Sequence, residues 1–204
     1  MKKNYEMDMC SGPILGKLLT FTIPLIFSGI LQLLFNAADV IVVGRFAGSQ
    51  SLAAVGSTTA LINLMINIFI GLSVGVNVIV ARYYGAKREK DVQDTIHTAM
   101  ALSIVSGLFL IVVGQLLSRP MLELMGTPDD VIDKSTIYMR IIFIGMPANM
   151  IYNFGSAILR AVGDTKRPLY FLTAAGVINV VLNLFFVIMF QMDVAGVALA
   201  TAIS

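Results

Sequence analysis

Between Arg45 and Arg82 lie 36 consecutive residues, Phe46 to Ala81, without one charged side chain. No water-soluble surface is built from such a run. A bilayer core is about 30 Å thick and takes about 20 mostly apolar residues as a helix. The run is therefore too long for one crossing and has to contain a turn. The polar patch Gly48-Ser49-Gln50-Ser51 supplies it, leaving a span over 52–81. The run before it, Leu18 to Gly44, is broken by a single charge, Asp39. Only 13% of the 204 residues are charged, about half the usual share of about 25%. The chain reads as an all-α polytopic membrane protein.

Continued along the sequence, the same reasoning places spans over about 18–43, 52–81, 95–117, 135–159 and 168–192. A sixth begins near Val194, and the ten residues after it reach only about half way across a bilayer at 1.5 Å each. The expectation is one six-helix transmembrane lobe, residues 1–204, with its sixth helix incomplete. The first apolar run is too long for a secretory leader and carries no A-x-A site after it, so it reads as a retained span. The single cysteine, Cys10, has no internal partner for a disulfide.

Lys and Arg near the span ends set orientation. Lys2, Lys3 and Lys17, then Arg82, Lys87, Arg88 and Lys90, then Arg160, Lys166 and Arg167 fall on one side, ten in all. Arg45, Arg119, Lys134 and Arg140 fall on the other. Ten against four puts the N-terminus in the cytoplasm and the chain in the cytoplasmic membrane. A net charge of +2, with no basic face interleaved with aromatics, gives no sign of nucleic acid.

A carboxylate at the centre of a membrane helix costs roughly 2.5–3.5 kcal/mol on insertion scales, so Asp39 needs a reason. Helical rise puts it about 8 Å below the outer end of span 1. Asn183 comes out about 13 Å deep in span 5, Asn179 about 20 Å, and Thr201 about 10 Å down span 6. Asp39, Asn183 and Thr201 thus share one layer, and Asn179 lies one turn from Asn183 on the same helix face. One carboxylate, two amide oxygens and a hydroxyl are hard oxygen ligands that fit Na+ or a titrating proton. Two plainer readings stay open: Asp39 reaching the interface at a helix end, and the asparagines only bonding neighbouring helices.

Other positions carry weaker signals. Pro24 should kink span 1 and serve packing or a hinge. Gly71 and Gly75, a small-xxx-small pair, suggest close helix packing. Asn149, Tyr152 and Asn153, after Pro147 in span 4, are candidates for a substrate cavity. One Cys and one His (His97), with no nucleotide loop and no metal-ligand spacing, leave no catalytic constellation and no cofactor, so no enzyme is expected.

Five stretches carry a family resemblance: "PLIFSGILQLLFNAADVIVVGRFAG", "VARYYGAKREKDV", "ILRAVGDTKRP", "NVVLNLFFVI" and "VAGVALATAIS". In this order and on these spans they resemble the N-terminal half of the multidrug and toxic compound extrusion (MATE) family, among the flippase-like exporters. The resemblance implies half of a twelve-helix, two-lobe transporter that alternates between inward- and outward-open forms. It implies export of small organic cations in exchange for Na+ or H+, with the C-terminal lobe as the missing partner. It also implies a cation site at Asp39, Asn179, Asn183 and Thr201, the four residues the depth argument reaches separately. Some members carry a second aspartate where this chain has Asn183, so a two-carboxylate proton switch is not available here. A lipid or lipid-linked saccharide flippase of the same superfamily is the rival reading. A non-transporting membrane scaffold, indifferent to Asp39, is the second.

Overall fold

Lipid offers backbone amides no hydrogen bonds, so a chain this apolar must satisfy them within its own helices. The computed structural model describes residues 14–204, and the regular structure among them is helical throughout. Cys10, Lys2 and Lys3 lie outside the described residues. Helix α1 (Ile14–Val42) continues into a π-helical segment, Val43–Ala47. Then come α2 (Ser49–Gly85), α3 (Glu89–Leu124), α4 (Asp129–Ile144) and α5 (Met146–Ala161). Helix α6 (Lys166–Leu184) ends in a second π-helical segment, Phe185–Met189, and α7 (Asp193–Ile203) follows. With their π segments, α1 and α6 join α2 and α3 as helices long and apolar enough to cross a membrane. The α4–α5 pair, bent by 49°, is long and apolar enough for a fifth if the two helices count as one span. The chain is a multi-pass membrane protein.

Helices α1 (with its π segment), α2 and α3 overrun the expected spans at both ends, whereas α6 with its π segment stops at Met189, short of the expected 192. The turn before α2 needs one residue rather than four. Gly48 takes φ +85°, which a residue without Cβ adopts freely, and α2 starts at Ser49. A continuous fourth span was expected over 135–159. It is instead broken at Gly145, where Pro147, in the first turn of α5, has no N–H to carry α4 onward. Pro24, by contrast, lies buried within α1 without interrupting it. Near it, hydroxyls turn inward: Ser28 Oγ donates to the Pro24 carbonyl at 2.8 Å and Thr20 Oγ1 to that of Gly16 at 2.9 Å. At the start of α6, Asp164 Oδ1 accepts the backbone N–H groups of Lys166 and Arg167, at 3.1 Å each. Those are two of the donors a helix N-terminus leaves free.

Helices α2, α3, α4 and α5 pack on one another around Leu110, Phe143, Met150 and Phe154, all essentially inaccessible. Helices α1 and α6 form a separate pair, and α7 lies between that pair and α4. Gly71 and Gly75 do not make the close approach expected of them: a Cβ on either would meet nothing within 4 Å. The tight crossings lie elsewhere. Gly107 of α3 sits against the Pro147 backbone, Gly114 against Phe143, and Gly145 under Ala202 of α7. The turns at Gly48, Gly126 and Phe190–Met192 gather at one end of the bundle, called the Gly48 end below.

Candidate functional site

The α1–α6 seam is set by Phe35 and Gly176. A Cβ on Gly176 would fall within the Phe35 ring, so the ring seats on bare backbone and draws the helices together. One turn on from Phe35 along α1 is Asp39. From Gly176 along the same face of α6 come Asn179 and Asn183, at steps of three and four residues. The sequence thus delivers a carboxylate and two amides to one seam.

The four residues singled out from the sequence meet. Asn183 Nδ2 donates to Asp39 Oδ1 in a close contact, and also to Asn179 Oδ1 at 3.1 Å. Asn179 Nδ2 donates to Thr201 Oγ1 at 3.3 Å, and that hydroxyl donates to the Val197 carbonyl at 3.0 Å. A continuous polar chain therefore runs from α1 through α6 to α7. Asn183 is fully buried and Asn179 nearly so, whereas Asp39 is half-buried and Thr201 exposed. Asn183 Oδ1 is buried without a hydrogen-bond partner. Leaving such an oxygen unpaired costs about 1–3 kcal/mol.

That orphan oxygen tests the fit of a cation. Asp39 Oδ1 and Asn179 Oδ1 both face the Asn183 amide, and with that amide turned over, Asn183 Oδ1 would join them as a third oxygen able to hold a small cation. The net charge of the set is −1, from Asp39 alone, which suits a monovalent ion or a proton better than a divalent metal.

Tyr138 of α4 was not singled out from the sequence. It is buried and within electrostatic reach of the Asp39 carboxylate. The depth argument could have found it, since it lies only three residues inside the start of span 4 and so in the Asp39 layer. The other sequence candidates stay apart from the cluster. Asn153 Nδ2 donates to Asn149, to its carbonyl at 2.9 Å and its Oδ1 at 2.7 Å. Tyr152 Oη donates to the Pro168 carbonyl at 3.3 Å, linking α5 to the start of α6. Pro24 is fifteen residues from Asp39 along α1.

Comparison with known proteins places the fold. The chain is 35% identical over 188 residues to the probable multidrug resistance protein YoeA of Bacillus subtilis, covering 90% of this chain and 41% of that one. It is 27% identical over 201 residues to an FAD transporter of Shewanella oneidensis, covering 96% of this chain and 44% of that one. Among solved structures, a MATE protein in its bent conformation superposes with a TM-score of 0.85 at 27% identity, over 92% of this chain and 42% of that one. A MOP-superfamily transporter of Pyrococcus furiosus, described as having a binding pocket of reversed polarity, gives 0.86 at 27% identity, over 92% of this chain and 41% of that one. The chain thus spans less than half the length of the relatives it matches. The MatE family model matches residues 24–185, most of the chain and the whole α1–α6 seam. The chain belongs to the MatE family, whose members are transporters rather than enzymes.

Proposed function

We propose that residues 1–204 form the N-terminal lobe of a twelve-helix exporter that moves small organic compounds out of the cell in exchange for Na+ or H+. The observation that carries this reading is the unpaired Asn183 oxygen buried beside the only carboxylate of the seam. The proposed setting is the cytoplasmic membrane, with the N-terminus inside and the Gly48 end outward, on the strength of the ten-to-four Lys and Arg asymmetry.

The cycle follows from where the ligands sit. Asp39 and the asparagines belong to the α1–α6 pair, Thr201 to α7, and α7 packs on α4. A cation held by all of them ties the pair to the rest of the lobe. It can shift the conformational balance only by its difference in affinity between the two states. We assign the tied state to release of the cation inward and the open state, with Pro24 as hinge, to release of the compound outward. The C-terminal lobe closes the cavity, with Asn149, Tyr152 and Asn153 on this lobe's wall.

The test uses the intact coding sequence in everted membrane vesicles. Movement of a fluorescent organic cation is followed under a proton gradient alone and under a sodium gradient alone. One gradient is expected to drive uptake and thereby name the coupling ion. Failure of both overturns the exporter reading. The FAD transporter among the relatives makes a flavin nucleotide the second probe.

A further inference from the structure

At the Gly48 end three helices meet in a closed polar triangle. Lys134 of α4 places Nζ 2.6 Å from Asp193 Oδ2, at the first residue of α7. Ser51 of α2 donates its hydroxyl to the other carboxylate oxygen, Asp193 Oδ1, in a close contact. Lys134 Nζ also donates to Ser51 Oγ, at 3.2 Å. Ser51 is fully buried, and the two charged side chains are about one-third exposed. Partial burial pushes the Asp193 carboxyl up, but the bonds and charge of Lys134, with the Ser51 bond, outweigh it and hold the group below its usual 3.8. Exposed ion pairs add little to stability, so stability alone is a poor account of a pair locked by a third helix.

Three features show what the triangle holds. Gln191 and Asp193 have φ of 50° and 24°, a left-handed backbone that non-glycine residues keep only where their surroundings enforce it. The start of α7 is therefore held in place rather than merely resting there. Further along α7, a Cβ on Gly145 would come within 2.9 Å of the Ala202 Cα, so α7 also abuts the α4–α5 bend. Between these two holds is Thr201, eight residues from Asp193, about 12 Å along the helix. Its bond to Asn179, at 3.3 Å, is the longest of the site's polar chain. Hydrogen bonds weaken quickly beyond that distance, so a small slide of α7 along α4 would detach Thr201.

We propose that Lys134, Asp193 and Ser51 are positioning residues: they fix α7 lengthwise against α4 and α2, and so keep the Thr201 hydroxyl on Asn179 in the cation site. None of the three touches the ion. The inference rests on the reading of Asp39, Asn179, Asn183 and Thr201 as a cation site, and it adds a reason for charged groups some 12 Å away along α7 to govern that site.

The test measures cation binding by the purified intact transporter in lipid nanodiscs. The probes are radioactive Na+ alone at fixed pH and H+ alone by titration. Asp193→Asn and Lys134→Met are expected to weaken binding by about 5–10-fold, the lower part of the range typical of site-to-site coupling. Ser51→Ala, which leaves the ion pair in place, is expected to weaken it less. In a Thr201→Val background, Asp193→Asn is expected to add nothing, because the two changes act through one contact. The reversed pair Lys134→Asp with Asp193→Lys is expected to recover binding, and it serves if a single variant fails to fold. Equal losses from Asp193→Asn with and without Thr201 would reveal a merely structural ion pair and overturn the proposal. So would unchanged binding in Asp193→Asn while Asp39→Asn abolishes it. Unchanged binding in Asp39→Asn overturns the cation site itself, and the inference with it.

Discussion

Asp39→Asn in the intact transporter is expected to insert and fold as wild type does, yet to lose gradient-driven efflux. The substitution is nearly isosteric. Its amide oxygen can still accept the bond from Asn183 Nδ2, so the α1–α6 seam keeps its contact. What disappears is the only formal charge among the four polar residues, and with it the differential affinity that lets an ion bias the cycle. Coupling between binding events in proteins typically amounts to about 5–150-fold, and the upper part of that range is expected here because no second carboxylate stands in. Efflux under a fixed gradient is the measurement, with thermal stability as the control. Normal efflux by this variant would sink the proposed mechanism. Lost efflux together with a collapsed melting temperature would assign Asp39 to architecture instead.

The second large effect is on the fold. Gly107→Ala is expected to be strongly destabilising although alanine is the better helix former. A Cβ there would lie 2.9 Å from the Pro147 nitrogen and closer still to its Cα. That neighbour is backbone, fixed by the proline ring just past the 49° bend. It cannot swing away as a side-chain tip would, so α3 and α5 have to separate. Overpacking of this kind typically costs about 1–3 kcal/mol, and each kcal/mol lowers the melting temperature of a chain of this size by about 2–4 °C. Gly71→Ala is the control. Its Cβ meets nothing within 4 Å, and removing a mid-helix glycine is worth roughly 0.5–1 kcal/mol of added stability. Equal melting temperatures for the two variants would mean that the α3–α5 crossing has slack.

The contrast between those glycines shows where the sequence stops being legible. The small-xxx-small spacing at Gly71 and Gly75 states that a helix could be approached closely. It does not state which neighbour approaches, because that depends on how the other helices are arranged. Gly107, Gly114, Gly145 and Gly176 look no different in the sequence, yet each supports a crossing. The crossings themselves were easier to read. Lipid leaves the backbone few choices, so uncharged runs translate almost directly into helices. The bend at Gly145 escaped because hydropathy runs straight through it. The convergence of Asp39, Asn183, Asn179 and Thr201 was legible because depth in a membrane can be counted in residues from the nearest turn. The link between Lys134 and Asp193 was not, since these residues are 59 positions apart and belong to different helices. Charge at a span end reads as solvated until a partner is seen.

The two π-helical segments have a consequence for chain length. A π turn takes up about one residue more than an α turn. Val43–Ala47 and Phe185–Met189 each hold such a surplus, and both lie just beyond the polar cluster, toward the Gly48 end. Elsewhere in a helix, gaining or losing one residue turns everything after it by about 100° and points a buried face at lipid. At these two places the surplus can be given up or taken in while Asp39 and Asn183 stay where they are. The loops at the Gly48 end can thus lengthen, shorten or twist without disturbing the register of the seam beside them.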